Sequence, residues 1–287
     1  MFLDVLSIYI LCMIIFLSYL YFSIDKQRGK MNDSLHHYLF YIPRSLYQYK
    51  LPKHTIHDQK SFITIYKSCI QDIPKQYLFM IRQSKMMCSI IEEKNKIMSL
   101  LNLNFECKMS THNLENKFTF TINHWIVFNE TTLQKMYLKW KKGDDMMSFV
   151  ELMLHEKIHI LQRNIQNRFD EMYPIWYPYV NHCLSIQDCP LWIQRHHMLN
   201  PDTNLSLWTY VIDNKVYYPY FCKIKHLELA HHPSHKKPIL LSSILKQDLR
   251  YGLHHPNETF AVQVSQSLTG NKHLNYRALV RFLQSLE

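Results

Sequence analysis

The sequence predicts an α+β domain, and three observations predict it. Apolar residues recur at helical spacing over 59–73, 75–101 and 144–165; residues 117–129 are rich in β-branched and aromatic side chains; and two further helical stretches, 258–268 and 274–286, close the chain. With 287 residues, 47% of them hydrophobic and 14% aromatic, the chain can bury a core in one large domain or two small ones. Only 4 glycines are present and no G-x-G-x-x-G or G-K-[ST] occurs, which argues against Rossmann and P-loop nucleotide binding.

Taken in order, residues 5–24 hold no charged side chain over 20 positions (24 − 5 + 1). At about 1.5 Å per residue a helix of that length reaches roughly 30 Å, the thickness of a bilayer core. Tyr19 and Tyr21 suit an interface, and the stretch lacks the basic start and small-x-small end of a cleaved signal peptide. The expectation is an uncleaved transmembrane anchor over 1–24 and a connector over 25–58. Lys26, Arg28 and Lys30 follow the stretch while only Asp4 precedes it, so the positive-inside rule places the remainder on the cytosolic side of a single-pass membrane protein. Four N-x-S/T sequons, at Asn32, Asn129, Asn204 and Asn257, point the other way but are common by chance.

Residues 59–287 form the expected folded domain. Pro74 divides its first helical run, because proline lacks the N–H a helix interior needs. The strand region 117–129 alternates in its first part, and Asn123-His124 can kink or turn it. Gly143 and the acidic pair Asp144-Asp145 suit the start of a helix, whose Phe149, Leu152, Met153 and Ile160 supply apolar faces. Residues 170–250 read as irregular, with turns at Tyr173-Pro174, Tyr177-Pro178, Pro201-Asp202, Tyr218-Pro219 and His232-Pro233.

Inside the 144–165 helix stands His155-Glu156-Lys157-Ile158-His159, an H-E-x-x-H signature. Residues four apart differ by about 400° of rotation, so both imidazoles leave one face and can grip one metal ion. Glu156 lies one step round, where it ligates poorly but can act as a base on water. Two histidines, a further ligand and water around zinc make the hydrolytic site of zincin peptidases. The residues that follow, Leu161-Gln162-Arg163-Asn164, lack the glycine at 162 and the histidine at 165 of the metzincin extension, so the third ligand lies elsewhere.

Glu258 is the preferred third ligand, in Tyr251-Gly252-Leu253-His254-His255-Pro256-Asn257-Glu258-Thr259-Phe260-Ala261. This block resembles the third-ligand region of gluzincin peptidases, in particular the group with anthrax lethal factor and the bacterial MtfA-type peptidases, where Glu-x-Phe-Ala opens a helix. The resemblance covers residues 144–165 and 251–266. It implies an α+β zincin-like metallopeptidase domain with an active-site helix, a small mixed sheet and a C-terminal helical part. It also implies one zinc per chain on His155, His159 and Glu258, Glu156 as general base, and Tyr251, seven residues before Glu258 (258 − 251), facing the metal as an oxyanion donor. In such enzymes an edge strand ahead of the helix pairs with extended substrate, a place residues 117–129 can fill; an ordinary core strand is the alternative. Two features depart from the family: 99 residues separate His159 from Glu258 (258 − 159), and Gln266 stands where an acid is common. His182, His196, His197, His226, His231, His232, His235, His254 and His255 remain rival third ligands.

The formal charge is +10, with short basic runs at Lys139, Lys141, Lys142 and at Lys236, Lys237. They match no nucleic-acid motif, so no specific nucleic-acid partner is expected and a solvated surface is the default. None of the 7 cysteines makes a C-x-x-C pair, which argues against a cysteine zinc site. The function expected is a membrane-anchored zinc peptidase acting on polypeptide. The alternatives are a zinc-binding tethered scaffold without catalysis and a basic lipid- or nucleic-acid-binding protein.

Overall fold

Helix caps and turn residues set several of the element boundaries. In the computed structural model, residues 54–111, 114–185, 206–222, 227–231, 239–240, 255–270 and 276–286 are described, with Leu35, Tyr38, Leu39, Ile42, residues 47–51, Cys189, Ile193 and Asp202. The chain divides into two compact units, Met1–Tyr41 and Ile42–Glu287, and the elements below belong to the second.

Helix α1 (Tyr47–Lys50) ends in a buried lysine whose Nζ pairs with Glu115, on the 3₁₀ turn Leu114–Lys117; Tyr66 donates to the other oxygen of that carboxylate at 2.7 Å. Asp58 caps α2 (Gln59–Ser68) by accepting from Ser61 N at 2.8 Å. Pro74 stands just ahead of α3 (Lys75–Lys94), where a missing N–H costs nothing. The short α4 (Met98–Leu101) follows. Asn129 caps α5 (Glu130–Lys141). Asp145 accepts from Met147 N at 2.9 Å at the start of α6 (Met147–Asn164), which leads into α7 (Gln166–Trp176). The last two helices are α8 (Pro256–Leu268) and α9 (Tyr276–Gln284).

One sheet holds β1 (Ile70–Asp72), β2 (Glu106–Ser110), β3 (Phe120–Ile122) and β4 (Trp125–Asn129) in the order β1-β2-β4-β3. The β2–β4 pair is parallel and the others antiparallel. The region read as one strand is thus a hairpin. Asn123 turns it with φ 56, a left-handed conformation asparagine tolerates. Helix α6 crosses this sheet with Phe149 against Phe128, ring centroids 5.1 Å apart, and is itself flanked by α3 and α8.

The expectation of irregular structure over 170–250 is corrected. A second, antiparallel sheet runs β5 (Val180–Ser185), β6 (Ser206–Ile212), β7 (Lys215–Cys222), β8 (Leu227–His231) and β9 (Ile239–Leu240) in that order. Asp213-Asn214, both at positive φ (49 and 60), closes the β6–β7 hairpin in the turn type that matches strand twist. Buried Leu207, Trp208 and Tyr210 tie this sheet to the core, where Tyr173 meets Trp208 edge-on at 5.7 Å.

Two further expectations are corrected here. The fold is mixed α+β, but the zincin-like domain behind a transmembrane helix is not what the chain shows. The H-E-x-x-H motif specifies one helix face and leaves the sheets to long-range pairing, which here makes two of them. Among the described residues no helix is long and apolar enough to cross a membrane. The longest, α3 with 20 residues and α6 with 18, are broken by charges such as Arg82, Lys85, Glu92 and Glu156, Lys157, Arg163. Residues 5–24 lie outside the described residues. The single-pass membrane protein, its anchor and its cytosolic orientation therefore have no support and are set aside.

Candidate metal centre

Two helices build the site. On α6 the helical repeat carries His155 and His159 to one face, and their Nε2 atoms lie 2.9 Å apart. On α8, His155-to-Glu258 and His159-to-Glu258 separations (Nε2 to Oε2) are 3.5 and 3.4 Å. Glu258 arrives there because α8 packs against α6, with Phe260, Ala261 and Val264 buried in the common core. Pro256 in the first turn and His255, whose Nδ1 accepts from Asn257 N at 3.1 Å, start α8 so that Glu258 sits in its first turn, where negative charge is favoured.

The three groups fit a metal ion. One ligand atom from each lies within 4.8 Å of the others. Tetrahedral zinc with bonds of about 2.0–2.1 Å places its ligands about 3.3 Å apart, and the three observed separations of 2.9, 3.4 and 3.5 Å bracket that value. Two imidazoles and a carboxylate are a zinc ligand set, and the two Nε2 atoms can approach this closely only with a proton or a cation between them.

The second layer fixes the histidine. His159 Nδ1–H donates to Gln162 Oε1 at 2.8 Å, and Gln162 Nε2 donates to the Asn257 carbonyl and to Tyr173 Oη, both at 3.0 Å. The carbonyl can only accept, so it sets which end of the amide faces it. The other end must then accept from Nδ1, which leaves Nε2 turned toward His155 and Glu258 and able to ligate a metal. Gln162 is completely buried and also joins the two ligand-bearing helices.

Glu156 is 2% exposed, and its Oε2 has no hydrogen-bond partner. Burial pushes its carboxyl well above the usual carboxylate range, with the nearby Asp202 charge adding to the effect and His159 opposing it. Burial works against a charge on His159, yet Glu258 and Asp202 together raise it to about 10. Glu258 feels the same burial, but His159 and the hydrogen bonds from both histidines hold it well below the ordinary range. In this charge state a proton on His159 stands where a cation would.

Beside Glu156 lies a network that sequence reasoning missed. Asp202 accepts from Thr121 N at 2.7 Å and from Thr121 Oγ1 at 2.5 Å. Arg163, one helical turn beyond His159, donates to Thr121 Oγ1 and the Asn123 carbonyl, both at 2.6 Å, and to the Thr121 carbonyl at 3.3 Å. Gln162 and Arg163 carried a readable signal, three and four residues past His159 on one helix face. Nothing local marks Asp202.

His155, Glu156, His159 and Glu258 are thus brought together. Tyr251 lies outside the described residues, as do His196, His197, His226, His232, His235 and His254. His255 is taken as the α8 cap, and His182 and His231 lie in β5 and β8. No protein family, no curated protein and no solved structure matches this chain.

Proposed function

We propose that the chain is a zinc-dependent peptidase, with His155, His159 and Glu258 as metal ligands and Glu156 as general base. The observation that carries this reading is the convergence of three ligand atoms within 4.8 Å beside a buried carboxylate with an unpartnered oxygen. A purely structural metal site has no need of that carboxylate. The resemblance of residues 144–165 and 251–266 to gluzincin peptidases supports a peptide substrate over other hydrolysable bonds.

When bound, zinc supplies Lewis acidity, making water more acidic and a carbonyl more electrophilic. Gln162 holds His159 in the tautomer that presents Nε2. Glu156, whose carboxylate burial and the Asp202 charge make more basic, is suited to take a proton from a water admitted with the substrate during attack and return it to the leaving amine. Its unpartnered oxygen is available for that role.

The test is zinc stoichiometry together with cleavage of a diverse peptide library, for wild type and Glu156→Gln. One zinc per chain in both, with cleavage in wild type and none in the variant, is the expected result. A folded protein that takes up no zinc refutes the reading. Zinc without any cleavage leaves a metal-binding protein and refutes the peptidase.

A further inference from the structure

The hairpin β3–β4 has a two-residue connection that closes on the Ile122–Trp125 pair. Thr121, opposite Ile126, is then a non-hydrogen-bonded pair, so its N–H and C=O point away from β4 to the sheet edge that no described strand covers. An edge of this kind beside a peptidase site is where an extended chain would add as a further strand. Here it is already filled by side chains. Asp202 accepts from Thr121 N as a neighbouring strand's carbonyl would, and Arg163 donates to the Thr121 and Asn123 carbonyls as that strand's N–H groups would.

We infer that the structure is a self-blocked form of the enzyme, in which Asp202 occupies the strand-edge donor that an extended peptide substrate needs. This rests on the peptidase reading above and names the regulation of that same site. Asp202 is the exclusive competitor for a simple reason of valence. A carbonyl oxygen has two lone pairs and accepts from Arg163 and from a substrate N–H at once, whereas Thr121 N–H is a single donor. The second bond, from Thr121 Oγ1 to the same Asp202 oxygen, strengthens the block, and Asp202 and Thr121 are both buried.

The experiment uses the full chain loaded with zinc, as wild type and Asp202→Ala, and two metal-directed probes. A tripeptide hydroxamate carries an extended backbone and acetohydroxamate carries none. Losing a charged hydrogen-bond competitor should tighten the tripeptide probe by about 10- to 100-fold more than acetohydroxamate, which reads out alone what removing the Asp202 charge does at Glu156 and His159. In metal-free protein the Thr121 amide should exchange with solvent faster in the variant. Thr121→Val keeps the N–H and removes the hydroxyl that donates to Asp202 and accepts from Arg163; a smaller gain, again confined to the tripeptide, is expected and carries the test if Asp202→Ala fails to fold. Equal tripeptide affinity in wild type and variants overturns the inference, as does a gain of the same size for acetohydroxamate. Failure of the wild type to bind zinc or acetohydroxamate overturns the metal site itself.

Discussion

Replacing Gln162 by leucine tests the centre without touching a ligand. The substitution keeps the bulk of a fully buried side chain and removes three hydrogen bonds: one from His159 Nδ1 at 2.8 Å and two to Tyr173 Oη and the Asn257 carbonyl at 3.0 Å. The first loss frees the imidazole to rotate and to take the wrong tautomer, and such second-layer changes cost about 10- to 100-fold in metal affinity. That factor is about 1.4–2.8 kcal/mol of linkage at saturating metal. For a folded unit of 246 residues (287 − 42 + 1), at about 2–4 °C per kcal/mol, the zinc-induced rise in Tm should shrink by about 3–11 °C. Losing two buried hydrogen bonds, to Tyr173 Oη and to the Asn257 carbonyl, lowers metal-free stability by about a further 1–3 kcal/mol. The assay is thermal denaturation with and without zinc, alongside a chelator competition for Kd. Gln162→Glu keeps the acceptor for His159 and should recover most of the zinc affinity. If the leucine variant binds zinc as tightly as wild type, Gln162 does not orient His159 and the account of the centre is wrong.

Further outcomes follow from the charges. His159, raised to about 10 by Glu258 and Asp202 despite burial, must lose a proton to become a ligand. Zinc affinity should therefore rise about tenfold per pH unit from 7 to 9, after correction for the competing chelator; a flat profile contradicts the assignment. The sign for the metal-free protein is the reverse. The raised His159 stabilises it fully below about 6.5, the ordinary histidine value, and that contribution is lost as pH climbs through about 10, so urea midpoints should fall across this window. Lys157 pairs with Glu92 at 2.5 Å, with side chains 3% and 0% exposed. Lys157→Met should cost about 3–5 kcal/mol because it strands a buried carboxylate. Burial already raises Glu92, so the penalty should lessen as pH falls and the carboxyl protonates. Zinc affinity should not change, since the pair lies on the side of α6 that faces α3.

How much was legible in the sequence depended on the range of the interaction. His155, Glu156 and His159 were readable because a helix repeat alone puts them in place, and the ends of α6, α8 and α9 fell within three residues of those expected from spacing, α8 opening at Pro256 rather than Glu258. The sheet of β5–β9 was missed because alternating residues identify a strand only once a partner buries one side. Its one local signal was Asp213-Asn214, a two-residue hairpin turn between apolar runs. Proline at several positions argued for loops, yet Pro219 sits inside β7, paired in register with Ala230.

The sequence by itself determined the chemistry of the candidate centre: two imidazoles and a carboxylate at fixed helical offsets, and a second carboxylate in a distant block. Only the tertiary structure decided that Glu258, 99 residues beyond His159 (258 − 159), meets them, that Gln162 sets the tautomer, and that Asp202 and Arg163 close the β3 edge. The division has a physical cause. Backbone periodicity is a property of neighbouring residues, while the meeting of distant side chains is decided by which apolar faces bury against one another, and α8 lies against α6 with its Phe260, Ala261 and Val264 buried in the common core.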